Sequence, residues 1–171
     1  MVVKQELENL NLKPLHVSMG EAKLSKQPSQ KQFEELNNRL QELGFELLDD
    51  QKQKQIEKIK NLLIKTVQSN DIKEHFSISD LLGRALNKDY SYISRLFSEV
   101  EGITVEQFFI LQKTEKVKEW LVYGELTLSE IAWKLGYSSV AHLSAQFKRI
   151  TGLTPSNFKK IGGTRKPLDK V

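Results

Sequence analysis

The strongest constraint on how this chain folds is that part of it occurs twice. Residues 76–108 lie over residues 126–158 at a constant offset, with Phe97 meeting Phe147 and Phe108 meeting Phe158. Each copy opens on a hydroxyl residue followed, after two others, by a carboxylate: Ser77 with Asp80, and Thr127 with Glu130. At that spacing a hydroxyl and a carboxylate satisfy the free amides of a helix start. The short helix that follows stops at Leu86-Asn87 or at Leu135-Gly136, residues that tolerate the left-handed backbone of a tight turn. The copies differ by one residue in this stretch and recover it afterwards. A second helix starts at Asp89 in one copy and at Ser138 or Ser139 in the other, all good amino-terminal caps. Ile93 with Phe97, and Leu143 with Phe147, anchor one face of that helix and leave the opposite face free. Gly102 or Gly152 closes it, and a new helix opens at Thr104 or Thr154, with Pro155 in the first helical position that proline favours.

A helix, a tight turn and a second helix with one face locked and one face free is a helix-turn-helix, and a helix of that size fits the DNA major groove. Helical repeats that bind proteins usually stack three or more units, whereas here two units are joined by one long helix from Thr104 to about Tyr123. A helical protein–protein interaction module without specific DNA binding is the competing reading. Charge favours a polyanion. Lys and Arg number 26 against 22 Asp and Glu, and residues 1–52 hold seven basic against nine acidic side chains, so the basic excess lies in the remainder.

The segments DYSYISRLFSEVEGIT and LTLSEIAWKLGYSSVAHLSAQFKRITGLTPSNFKK resemble the DNA-binding domain of the AraC/XylS family of bacterial transcription regulators, over residues 51–160. The resemblance implies two helix-turn-helix units held by a rigid helix, with recognition helices near 90–100 and 139–150 entering successive stretches of the major groove. On the free face of the first lie Ser91, Ser94, Arg95 and Ser98; Arg95 can bond both acceptors of a guanine edge. The second presents Ala141, Ser144, Ala145 and Lys148, flanked by His142 and Gln146, with Ser139 at its start. The family often has arginine where Ala145 stands, so methyl contact with thymine is what this helix offers instead. Lys148, Arg149, Lys159, Lys160, Arg165 and Lys166 are candidates for the phosphate backbone. Trp120 and Trp133 read as packing residues.

The first fifty residues read as helix, hairpin, helix, strand. Val3, Leu7 and Leu10 fall at helical spacing; Leu15, Val17 and Met19 alternate as in a half-buried strand that continues toward Ala22 and Leu24. A second helix carries Phe33, Leu36, Leu40 and Leu43 up to Gly44, and Phe45, Leu47 and Leu48 suggest a last short strand. With VVKQELENL and FEELNNRLQELGFELLD, this order resembles a truncated heavy-metal-associated, ferredoxin-like domain without its Cys-x-x-Cys loop, so no metal role is carried over. His16 and Met19 read as structural, not as ligands.

The fold expected is mainly α, with a small incomplete ferredoxin-like α+β domain at 1–50, the double helix-turn-helix domain at 51–161 and a basic tail at 162–171. Helices are expected near 52–69, 78–86, 89–100, 104–122, 128–135, 139–150 and 155–160. The chain has no cysteine, hence no disulfide or thiolate site, and His16, His75 and His142 lie in separate elements. Without a nucleophile–base pair, metal cluster or glycine-rich phosphate loop, it reads as a non-enzyme with no cofactor. There is no apolar stretch long enough for a bilayer and no leader at Met1, so the cytoplasm is the expected compartment. Double-stranded DNA is the expected partner, with RNA polymerase and a second copy, meeting through the amino-terminal domain, as further candidates.

Overall fold

Leu7 and Leu10 in one segment, and Leu36 and Leu40 in another, give two amphipathic helices one face each to bury. In the computed structural model, which describes residues 2–48 and 50–162, these are α1 (Val2–Asn9) and α2 (Gln30–Glu42). The four leucines and Leu12 form the core of a unit that spans Met1–Asp50. The Ser29 hydroxyl accepts the Gln32 amide, and the Gln32 side-chain oxygen accepts the Ser29 amide, so two of the free donors at the start of α2 are satisfied. Gln32 Nε2 also donates to the Leu10 carbonyl at 3.2 Å, which fastens the start of α2 to the end of α1.

Between the helices, β1 (Pro14–Ser18) and β2 (Glu21–Leu24) pair antiparallel. The expected alternation along β1 is not realised. A register irregularity between Pro14 and His16 displaces Leu15, which is 66% exposed, and Met19 falls at the turn in full solvent; only Val17 and Leu24 of the hairpin pack on the leucine core. The strand expected at 45–48 is also absent. The Phe45 amide donates instead to the Leu40 carbonyl at 2.8 Å and closes the end of α2, while Leu47 packs on the core from an irregular segment. This unit has the mixed α+β character expected of it. Its sheet has two strands among the described residues, so the likeness to a heavy-metal-associated domain goes no further.

The second unit, Gln51–Val171, is helical throughout its described residues: α3 (Asp50–Gln68), α4 (Ile78–Leu86), α5 (Tyr90–Glu101), α6 (Val105–Tyr123), α7 (Leu128–Lys134), α8 (Val140–Thr151) and α9 (Pro155–Gly162). Each boundary falls within two residues of the spacing-based expectation. Ile56, Ile59, Leu63 and Val67 bury the stripe of α3, which packs inward with the rest of a single core. That core takes equivalent residues from both copies: Ile93 and Phe97 from α5, Leu143 and Phe147 from α8, all fully buried. Each such side chain contributes about 1.5–3 kcal/mol. Phe97 meets Phe108 edge to face with ring centroids 5.6 Å apart, and Phe147 meets Phe158 in the same way at 5.5 Å.

Helix ends follow the residues that set them. Thr127 and Glu130 form a full capping box at α7, and Thr104 with Gln107 forms another at α6. Ser77 accepts from the Asp80 amide, whereas its hydroxyl is linked to Ser79 at 2.9 Å. Ser139 caps α8, but Asp89 precedes α5 without a side-chain cap bond. Asn87 (φ 52°) and Gly136 (φ 72°) make the left-handed turns of the two units. α6 packs on α5, α8 and α9, which explains why its buried residues Val105, Phe109, Thr114, Val117 and Leu121 do not form one stripe.

Candidate nucleic-acid interface

With Ile93, Leu96 and Phe97 buried, the geometry of α5 turns residues 91 and 95 to solvent. Ser91 and Arg95 are exposed, and Ser94 and Ser98 are half-buried beside them. Arg95 makes no ion pair and no side-chain hydrogen bond among the described residues. Its five donors are therefore available to a ligand. Tyr90, at the start of α5, donates to the Glu106 carboxylate at the start of α6; burial first, and then that carboxylate, raise its phenol above the ordinary value.

In α8, Leu143 and Phe147 hold the inner face, and Ala141, Ala145 and Lys148 are exposed on the other, with Ser144 half-buried. Lys148, Arg149, Lys159 and Lys160 are exposed cations without an ion pair among the described residues. Arg165 and Lys166 lie outside the described residues. Ser139 has a structural task before any other, since its oxygen accepts the His142 amide at 3.0 Å. His142 is exposed; its Nδ1 lies 3.2 Å from the Ser138 hydroxyl, and its ring stands edge-on to Tyr137 with centroids 5.4 Å apart. Gln146 is half-buried and accepts from the Tyr137 hydroxyl at 2.6 Å.

One aromatic residue sits differently from expectation and another was not anticipated. Trp133 is 70% exposed rather than packed, because Ile131, Ala132 and Leu135 take the inner face of the short helix α7; its ring faces Lys73, whose Nζ is 5.9 Å from the centroid. Tyr137, which sequence reasoning passed over, is buried in the turn before α8 and touches two of the candidate residues. The signal was the extra turn residue in the second copy, which is where a side chain can enter between α7 and α8. Lys113 of α6 lies over the same ring, its Nζ 4.0 Å from the centroid, and desolvation lowers its pKa to about 8.

A family model described as a helix-turn-helix domain matches residues 82–161, the stretch from within α4 to the end of α9. The helices of residues 82–161 thus carry the helix-turn-helix pattern that this family model describes. Among solved structures, the DNA-binding domain of AdpA, a global transcriptional factor crystallised with a target DNA, is similar in fold at a TM-score of 0.57 and 18% identity, over 66% of this chain and 96% of that one. The carboxy-terminal domain of the two-component response regulator yesN from Fusobacterium nucleatum subsp. nucleatum is 26% identical, with a TM-score of 0.51, over 58% of this chain and 96% of that one. The uncharacterized HTH-type transcriptional regulator YdiP of Escherichia coli (strain K12) is 28% identical over 104 residues, which are 59% of this chain and 34% of YdiP. The chain spans between 10% and 43% of the length of the first three curated relatives it matches.

Proposed function

We propose that this chain is a sequence-specific, double-stranded-DNA-binding transcription regulator whose helices α5 and α8 enter the major groove. The observation that carries the reading is that both helices have one face locked in a shared core and an open face without internal partners. Arg95 stands on the first open face, and Lys148, Arg149 and Lys159 stand on or beside the second. An exposed guanidinium on such a helix suits a guanine edge; unpaired cations next to it suit phosphates. Ser91, Ser94, Ser98, Ala141, Ser144 and Ala145 supply the remaining groove-facing surface, with His142 and Gln146 on the flank.

Selection of duplexes from a random pool by the full chain, followed by a salt titration on the selected sequence, tests this reading. It predicts an enriched motif and an affinity that falls steeply with salt. Binding that resists salt and prefers a protein would favour the interaction module. We assign the chain no catalytic role. Among the described residues no helix is long and apolar enough to cross a membrane. With DNA as the proposed partner, the cytoplasm is the compartment the proposal names. A contact with RNA polymerase and self-association through the amino-terminal unit, which exposes Leu15, Met19 and Phe45, extend the proposal to partners beyond DNA.

A further inference from the structure

Gln146 lies on α8 one turn beyond His142 and one turn before Arg149, along the edge of the groove-facing surface. A recognition helix seated in the major groove brings its edges to the groove walls, which are lined by phosphate oxygens that only accept hydrogen bonds. A glutamine has one acceptor oxygen and two amide donors, so what it offers DNA depends on which end the protein holds. Here the Tyr137 hydroxyl holds the oxygen, at 2.6 Å. Tyr137 is itself 7% exposed, anchored by its amide on the Ala132 carbonyl at 2.9 Å and covered on its ring by the Lys113 ammonium.

The duplicated half of the domain shows that a polar pair is not needed to close this place. In the first copy the position equivalent to Gln146 is Leu96, 5% exposed and packed in the core. Exchanging a buried leucine for a half-buried amide sacrifices apolar burial and requires a partner for each polar atom. The exchange makes sense if the amide has a ligand.

Building on the DNA-binding reading above, we infer that Tyr137 is a positioning residue for the second recognition helix: by holding the Gln146 oxygen it turns the Gln146 amide nitrogen outward, as a neutral donor to a phosphate oxygen on the groove wall. The adjacent Arg149, an exposed cation, draws the same stretch of backbone toward this edge.

The test is equilibrium binding of the full chain to its selected duplex across a salt series, for wild type, Tyr137→Phe, Gln146→Ala and the double variant. Each single change should weaken binding about two- to tenfold, the worth of one hydrogen bond. The double variant should be no weaker than either single one, because both remove the same contact. The slope of affinity against salt should stay at the wild-type value in all three, since a neutral amide releases no counterion; Arg149→Ala should reduce it. Gln146→Glu keeps the acceptor for Tyr137 but turns a carboxylate toward the phosphate, and should bind more weakly than Gln146→Ala. The inference is overturned if Tyr137→Phe binds like wild type, if the two single losses add, if Tyr137→Phe lowers the salt slope as a dislodged helix would, or if Gln146→Glu binds as well as Gln146→Ala. Failure of wild type to bind any duplex would overturn the DNA-binding reading together with it. Binding by wild type with any of these four results overturns the positioning role alone.

Discussion

The backbone of Gly136 lies against the carbonyl of Lys73, so close that a Cβ on the glycine would stand 2.8 Å from the Lys73 oxygen and 2.9 Å from that of Ile72. The Ile72 amide meanwhile donates to the Lys134 carbonyl at 2.9 Å, so the segment after α3 is strapped across the turn of the second unit. Gly136 also has φ +72°. Gly136→Ala should therefore lower the unfolding free energy by about 2–4 kcal/mol, combining left-handed strain with overpacking against backbone. Gly102→Ala and Gly152→Ala share the positive φ but have nothing within 4 Å, and should cost about 1–2 kcal/mol each. Urea unfolding of the three variants decides; equal losses would mean that the strap yields.

The two recognition helices should respond differently to loss of a basic side chain. Arg95→Ala is expected to relax preference at one or two base pairs, worth about 1–3 kcal/mol of discrimination. Lys148→Ala or Lys159→Ala should weaken binding to all sequences and reduce the salt slope by roughly one. Ala145→Arg, placed one repeat after Arg95, should add a base preference in the second half of the site. Equal losses on specific and random duplexes for Arg95→Ala would reduce that residue to a phosphate contact.

Lys113 gives the second unit a pH signature. Its ammonium, over the Tyr137 ring, is partly desolvated, and its folded-state pKa is lowered from 10.5 to about 8. Between those values the unfolded chain holds a proton that the folded one has released, so stability rises with pH through this window; below about pH 8 both states are charged and the desolvation cost stands in full. Lys113→Met should flatten the rise between pH 8 and 10.5 in urea midpoints compared with wild type. An unchanged pH profile in the variant would place the lysine in water.

The fragment 51–162 should fold and bind duplex DNA without the first fifty residues. Every residue of its core cluster, from Ile56 to Phe158, lies within it. Circular dichroism and the same duplex-binding measurement check this. A helical fragment that binds no duplex at low salt would give the first unit a part in recognition.

What the sequence made legible was what short-range spacing encodes. The seven helices of the second unit, their caps at Ser77, Thr127 and Ser139, and the left-handed Asn87 and Gly136 follow from residues a few positions apart. Placement failed where the outcome depended on distant partners. Trp133 was read as a packing residue from its position on the helix, but it stands about 200° around the helix from Ile131, away from the face that Leu135 shares. Leu15 obeyed a strand alternation that the irregularity at Pro14 breaks, and residues 45–48 had strand-like composition, but the Phe45 amide is taken up by the Leu40 carbonyl at the end of α2. The groove-facing positions were readable from the i, i+4 anchors of α5 and α8. That Gln146 is held by Tyr137, and Tyr137 covered by Lys113, depends on how α6 crosses the second unit, and no local pattern states that.

The duplication is close in backbone and unequal in surface: Arg95 and Ser98 stand in one unit where Ala145 and Lys148 stand in the other. On the proposed DNA-binding reading, a single chain with two unlike recognition surfaces joined by one helix would distinguish the left end of its target from the right. Its preferred sequence should accordingly be non-palindromic, and the bound protein should point one way along the duplex. Inverting the target beside a promoter would then present the opposite end of the protein to whatever is assembled there, and regulation would depend on the orientation of the site as well as its strength.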